Sequence, residues 1–340
     1  MSDLFEDDLE VFGQIPGSKI KLIVLILSFN QDKFLADAVE SVLNQNYDDE
    51  FRIVIHDDAS SDNSHQIITN LVKANPDKII GLLQGKNKFS KGVNILQEVH
   101  KLAPSDYVAR LDADDLWVSR NKLAVQIEFL DKNKDVAISA HSVIILDEVR
   151  NQLSMDFLRR KGFVSPNKFA FCNFISTASV VYRVEMVEPL PSTFTKYYIQ
   201  DWPLWSLLAN RGKVYFHQDL ISIYRIHANN GFARKSNSIF AKDTLAINKM
   251  IADFLNAKSL STWNIALVLR KIFSMTDKVT FQKSSIFLNL MFNLVVGISR
   301  SPIFVNIESE EYLQITDSNN SQKTYGPIDF KSSNWLSLNA

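Results

Sequence analysis

The chain has 340 residues, with 37 Lys and Arg against 38 Asp and Glu and a formal net charge of -1. That balance excludes a nucleic-acid binder held by a broad basic surface, while leaving room for a local basic site for phosphates. Hydrophobic residues at 46 % and charged residues at 22 % are ordinary for a soluble globular protein, and the length can bury one large core or two smaller ones.

Residues 1–18 form an N-terminal segment that opens on MSDLFEDDLEVFGQ, acidic and without the basic start and apolar run of a secretory signal. From Ile20 to Phe29, IKLIVLILSF is a continuous apolar run rich in β-branched residues, as expected of a strand buried on both faces. Phe34, Leu35, Ala38, Val39, Val42 and Leu43 then recur at helical spacing. FRIVIHDDAS predicts a second strand ending in acids, with Ser61 and Asp62 placed to cap a helix whose apolar face is Ile67, Ile68, Leu71 and Val72. KIIGLLQ is a third strand, GVNILQEVHKLA an amphipathic helix, DYVARL a fourth strand, Arg120 to Asn133 a helix and VAISAHSVII a fifth strand. This alternation predicts a mostly parallel α/β sheet flanked by helices, in which ligands gather beyond the carboxyl ends of the strands.

Beyond residue 150 the pattern is mixed. Short strands are expected near STASVVYRV and LISIYRI, with a helix from Asp201 to Asn210. The lone Cys172 allows no internal disulfide, suits a reducing compartment, and reads as a small apolar core residue. Residues 232–303 read as a helical C-terminal region and 304–340 as a polar, loosely attached tail. No segment supplies the roughly 20 uninterrupted apolar residues of a membrane span, so the expected location is cytoplasmic. SIFLNLMFNLVVGI, Ser285 to Ile298, is short and carries two Asn; it fits a buried helix, with a peripheral membrane contact as the alternative.

Polar groups collect where this architecture would put a site. The first, second and fourth strands end in SFN, HDDAS and LDADD. Asp112, Asp114 and Asp115 are hard oxygen donors in a tight loop, which suits Mg²⁺ or Mn²⁺ completed by substrate phosphates. The same spacing also suits an Asp-rich turn. Asp57 and Asp58 could accept from a nucleobase or ribose, or simply form a turn and helix cap. His227 follows a predicted strand and is open to readings as a satisfied histidine, a metal ligand or a phosphate donor, with Arg225 two residues earlier on the same strand face. Asp201, before Trp202 and Pro203, suits either an N-cap or a general base beside an aromatic platform.

Taken in order, SFN, DDASSDNS, LDADD, QDW and YRIH resemble a family 2 glycosyltransferase with the GT-A fold, over roughly Ile20 to Gly231. The resemblance implies a GT-A domain over 19–231 and an inverting transfer of sugar from a nucleotide-diphosphate sugar, by default a UDP-sugar. It implies Ser28, Phe29 and Asn30 at the nucleotide, Asp58 as partner of the base with Asp57 beside it, and Asn94 in the helix leading to the acidic loop. Asp112 would face ribose and Asp114 the Mn²⁺ or Mg²⁺, with Asp115 and His227 as further ligands. Asp201 would be the catalytic base, and Trp202 would stack on an acceptor sugar, with Trp205 open to stacking or a core role. The partners so implied are a nucleotide-sugar donor and a glycan or lipid-linked acceptor, in surface polysaccharide or glycan synthesis. Two departures stand out: GKNKFSKGVN is a loose version of the usual glycine-bearing stretch, and Gln200 precedes Asp201 where most members have Glu. A haloacid-type phosphatase would need an Asp pair after the first strand, and a nucleotidyltransferase a Gly- and Arg-rich loop there; LSFNQD supplies neither. A non-catalytic sugar-nucleotide binder is the remaining competitor, which turnover would exclude.

Overall fold

The computed structural model describes residues 8–88, 95–149, 152–155, 162–170, 173–191, 194, 200–228, 237–254, 313–316 and 322–325. Its first half runs β1 (Leu9–Phe12), β2 (Ile20–Ser28), α1 (Leu35–Leu43), β3 (Phe51–Asp57), α2 (Ser64–Ala74), β4 (Ile79–Gln84), α3 (Ile95–Leu102) and β5 (Ser105–Asp112). The second half runs β6 (Leu116–Trp117), α4 (Lys122–Lys132), β7 (Val136–Asp147), β8 (Gln152–Met155), β9 (Gly162–Val164), β10 (Val181–Arg183), α5 (Asp201–Arg211), β11 (Lys213–Ile226) and α6 (Asn237–Phe254).

These strands build one 11-stranded sheet in the order β1-β4-β3-β2-β5-β10-β7-β11-β6, with β8 on β7 and β9 on β11. The parallel sheet expected from the alternating pattern is realised in β4-β3-β2-β5. Beyond it, β10 enters antiparallel between β5 and β7, and β7 and β11 pair in parallel. The acidic N-terminal segment contributes a strand that its composition conceals: Leu9–Phe12 pairs antiparallel with β4 and covers that edge.

The apolar run of β2 is buried on both sides because alternate residues enter two different cores. Ile23 and Leu25 pack with Val99 of α3 and with Trp205 and Leu208 of α5, whereas Leu22, Val24 and Ile26 pack with Leu35 and Val39 of α1, Ile68 of α2 and Ile127 of α4. Each fully buried Ile, Leu or Val contributes about 1.5–3 kcal/mol relative to exposure, so this central strand anchors both layers. Helix α2 begins two residues after Asp62, whose carboxylate accepts the Ser64 N–H at 2.9 Å. The N-cap position itself falls on Asn63, which makes no side-chain cap bond, so Asp62 serves the first helical N–H from one residue outside the cap. On α5, Pro203 fits the first turn, where its missing N–H costs nothing.

The polar tail contains more regular structure than its composition implies: Leu313–Thr316 (β12) and Gln322–Tyr325 (β13) pair as an antiparallel hairpin. Among the described residues no helix is long and apolar enough to cross a membrane. Asn94, Cys172 and Ser285 to Ile298 lie outside the described residues.

Candidate active site

Strand register brings the polar chain ends together. Ser28 pairs with Asp57 and Leu27 with Asp112, so three strands present their last residues at one level of the sheet. The chain then turns sharply after both β2 and β3, with Asn30 at φ 56° and Ala59 at φ 63°. Asn is tolerated in this left-handed region better than most residues, whereas Ala must be held there by its surroundings. The holding contacts run between the two loops. Asn30 N–H donates to Ser60 Oγ at 2.7 Å, Ser61 N–H to Asn30 Oδ1 at 2.8 Å and Asp32 N–H to Asp62 Oδ2 at 3.0 Å.

Asp57 is consumed by this construction. It accepts from the Ser60 N–H at 2.8 Å and the Ser60 hydroxyl at 2.6 Å, and pairs with His65 Nε2 at 2.7 Å. The expectation that it touches the nucleotide is corrected: its carboxylate is fully buried and turned into its own loop. Asp58 points elsewhere and accepts the Lys88 N–H at 2.7 Å, tying the segment after β4 to the site. Phe29, 48 % exposed, forms an open aromatic rim beside the buried Ser28, while the Asn30 side chain is engaged with Ser61.

The acidic loop is built by two long-range grips. Ala113 N–H continues the β2 ladder by donating to Leu27 O at 2.9 Å, and Asp115 N–H closes a turn on Asp112 O at 2.9 Å. From the far side, the end of β11 holds the loop: Arg225 N–H donates to Asp115 Oδ1 and Arg225 Nε to Asp114 O, both at 2.9 Å. The Arg225 guanidinium also pairs with Glu148 at 2.5 Å and lies 4.6 Å from the centre of the Phe34 ring. His227 stands against the same ring, with centroids 4.7 Å apart, and its Nε2 meets Asp114 Oδ2 at 3.1 Å.

Asp114 and His227 are thus side by side, a carboxylate and an imidazole that together suit Mn²⁺. The third expected ligand does not join them. Asp115 is only 1 % exposed and turned beneath the loop, with Oδ1 taken by Arg225 and Oδ2 unpartnered. No group of three or more His, Cys, Asp or Glu side chains among the described residues could by itself hold a metal ion. The pair nonetheless fits the usual manner of holding Mg²⁺ or Mn²⁺, in which one or two protein groups are supplemented by substrate phosphates and water.

Asp201 opens α5. Its Oδ1 accepts the Trp202 N–H and its Oδ2 the Asn173 Nδ2, each at 2.7 Å. Trp202 is not a platform for a sugar: it is 2 % exposed, packed in the core, and its indole N–H donates to Phe169 O at 2.8 Å. Trp205 is likewise fully buried.

The electrostatics show an unbalanced cluster. Burial, then the charges of Asp114 and Asp201, push the Asp112 carboxyl up to about 7, against the opposing pull of Arg110. Burial, Asp114 and Asp112 push Asp115 well above the carboxylate range. Burial also raises Asp201, with the Trp202 N–H, Asn173 and Arg110 working the other way. The Tyr224 hydroxyl is pushed upward by burial and then by all four of these acids. A divalent cation would offset this mutual repulsion.

Arg110, Asn173, Gln31 and Phe34 were not among the candidates from sequence. Arg110 did carry a signal, as a charge inside the otherwise apolar YVARL. It is buried and hydrogen-bonded to the Tyr182 hydroxyl. Gln31, whose Nε2 reaches Asp114 Oδ2 at 3.5 Å, and Asn173 lie in loops where nothing local marks them.

Comparison with known proteins gives the same class. The family described as Glycosyl transferase family 2 matches residues 23–189. An uncharacterized glycosyltransferase of Nostoc sp. is 32 % identical over 258 residues, covering 69 % of this chain and 76 % of its own. Escherichia coli WfaP, a UDP-Glc:alpha-D-GlcNAc-diphosphoundecaprenol beta-1,3-glucosyltransferase, is 25 % identical over 263 residues, 75 % of this chain and 97 % of WfaP. The crystal structure of S. aureus TarS 1-349 in complex with UDP-GlcNAc is similar with a TM-score of 0.56 at 17 % identity, covering 82 % of each chain, a likeness of fold. The chain belongs to glycosyl transferase family 2, on a GT-A sheet.

Proposed function

We propose that the protein is an inverting glycosyltransferase that moves a sugar from a UDP-sugar to an acceptor hydroxyl on a glycan or lipid-linked precursor, in surface polysaccharide or glycan synthesis. The observation that carries this reading is the convergence of Asp114 with His227, 3.1 Å apart, at the strand ends where the acidic charge of Asp112 and Asp201 also gathers. WfaP's uridine donor and diphosphoundecaprenol acceptor support the choice of donor and the lipid-linked alternative.

In this reading Phe29 and Asp58 border the base and Asp112 faces the ribose. Asp114 and His227 would hold Mn²⁺ or Mg²⁺, which would supply charge neutralisation for the departing diphosphate. Asp201 accepts the proton of the acceptor hydroxyl as its oxygen bonds to C1 and the bond from C1 to the diphosphate oxygen breaks. Attack from the face opposite the leaving group inverts the anomeric centre. A single displacement needs one base, unlike a glycosidase, which pairs two carboxylates. The raised affinity of Asp201 for a proton, caused by burial, suits that work.

Incubation of the protein with a panel of nucleotide sugars and Mn²⁺, with and without glycan and undecaprenyl-diphosphate-linked acceptors, tests the proposal. Release of UDP that depends on acceptor and yields the opposite anomer is expected. Retention of the donor's anomeric configuration, or no turnover of any nucleotide sugar, would contradict it.

A further inference from the structure

We infer that Asn173 is the positioning residue that orients the Asp201 carboxylate for proton transfer. This rests on Asp201 being the base, as proposed above.

The geometry is a bracket of three hydrogen bonds. Trp202, adjacent to the base, sends its indole N–H back to Phe169 O at 2.8 Å, fixing the start of α5 against the turn at Pro166–Ala170. Four residues beyond Phe169, Asn173 returns its Nδ2 to Asp201 Oδ2 at 2.7 Å. The third bond, from Trp202 N–H to Asp201 Oδ1, occupies the other oxygen at 2.7 Å. One donor on each oxygen fixes the rotation of the carboxylate, while each oxygen keeps a further lone pair for an incoming proton. Asn173 is itself aimed, because its Oδ1 accepts the Ile175 N–H at 3.3 Å, which leaves Nδ2 as the group presented to the base. An amide in this place donates without adding charge. Trp202 thus serves the site from within the core: it anchors the segment that carries Asn173.

The hydrogen bond from Asn173 favours the ionised form of Asp201, alongside the Trp202 N–H and the charge of Arg110 on β5. Asp112 on β5 and Tyr224 on β11 also lie within electrostatic reach of Asp201. Arg110, Asp112 and Tyr224 remain when Asn173 is changed, so a difference between variants at position 173 reports on this bond.

The test is the pH dependence of kcat in the full-length protein with its donor and acceptor. Asn173→Ala is expected to lower kcat about ten-fold and to move the acid limb of the profile upward by about one pH unit, since a hydrogen bond to a charged group is worth about that much. KM for the nucleotide sugar should stay within about two-fold. Asn173→Asp is isosteric and keeps the acceptor for Ile175 N–H, so it preserves the segment if the alanine variant does not fold. It should move the acid limb further upward, because a like charge replaces the donor. An unmoved acid limb in Asn173→Asp, or a loss confined to KM, would overturn the role of Asn173. Asp201→Asn run beside them separates the two proposals: if it retains full kcat, the base reading fails. If it is inactive while the acid limb at position 173 stays fixed, only the positioning role fails.

Discussion

Two acidic stretches of similar composition, HDDASSDNS after β3 and LDADD after β5, have opposite fates in the folded chain. In the first, each acid is met by hydrogen-bond donors, some local and some from other loops. Asp57 takes three contacts from Ser60 and His65, and Asp62 takes the N–H groups of Asp32 and Ser64. In the second, Asp115 has the Arg225 N–H and Asp114 has Gln31 and His227, yet the acids face one another. Asp112 also meets the charge of Asp201, and burial with mutual repulsion drives Asp112 and Asp115 toward protonation. The first stretch is a finished piece of architecture. The second is a charge arrangement that a cation and a diphosphate would complete, and the difference lies in the supply of donors rather than in the count of acids.

The largest effect expected from breaking this contrast is at the proposed base. Asp201→Asn should lower kcat by about 10³-fold with little change in Tm, measured by acceptor-dependent UDP release. Asp114→Asn should come next. It removes a proposed metal ligand, so the Mn²⁺ concentration for half-maximal activity should rise by at least the roughly 10–100-fold that loss of a metal's outer-sphere partner costs. Asp57→Ala should act on the other side of the comparison, lowering stability by about 2–4 kcal/mol in urea unfolding while leaving the Mn²⁺ requirement unchanged. If Asp57→Ala alters the Mn²⁺ requirement as strongly as Asp114→Asn, the two stretches are not separate in function.

The smallest predicted effect is on stability with pH. Asp112 is raised from an ordinary carboxylate value of 3.8 to about 7 in the folded protein, so the fold binds a proton that the unfolded chain has already released. Its contribution is therefore fully present below the unfolded value and is lost as pH rises through about 7. Tm without ligands should fall by a few degrees between about pH 5 and about pH 8, and Mn²⁺ with UDP should flatten that slope.

Much of this was legible from the chain. IKLIVLILSF, FRIVIHDD and YVARLD marked the buried strands, and their polar ends marked the level of the site, because continuous apolar runs and a change to acids are local signals. What escaped depends on groups distant in sequence. Asp115 looks equivalent to Asp114 in DADD, yet a backbone N–H 110 residues away turns it inward. Asp57 and Asp58 are indistinguishable until His65 and Lys88 choose between them. Trp202 beside a candidate base suggested stacking, but its indole N–H found Phe169 O inside the core. The antiparallel insertion of β10 could not be read from three residues whose pairing is set entirely by β5 and β7.

The most direct test of the central claim is the thermal stability of the protein with UDP, with Mn²⁺, and with both, repeated in Asp114→Asn. The account predicts that UDP and Mn²⁺ together raise Tm by more than the sum of their separate effects, and that this excess disappears in Asp114→Asn. Stabilisation by UDP that is unchanged by a chelator, or an excess that survives the substitution, would contradict it.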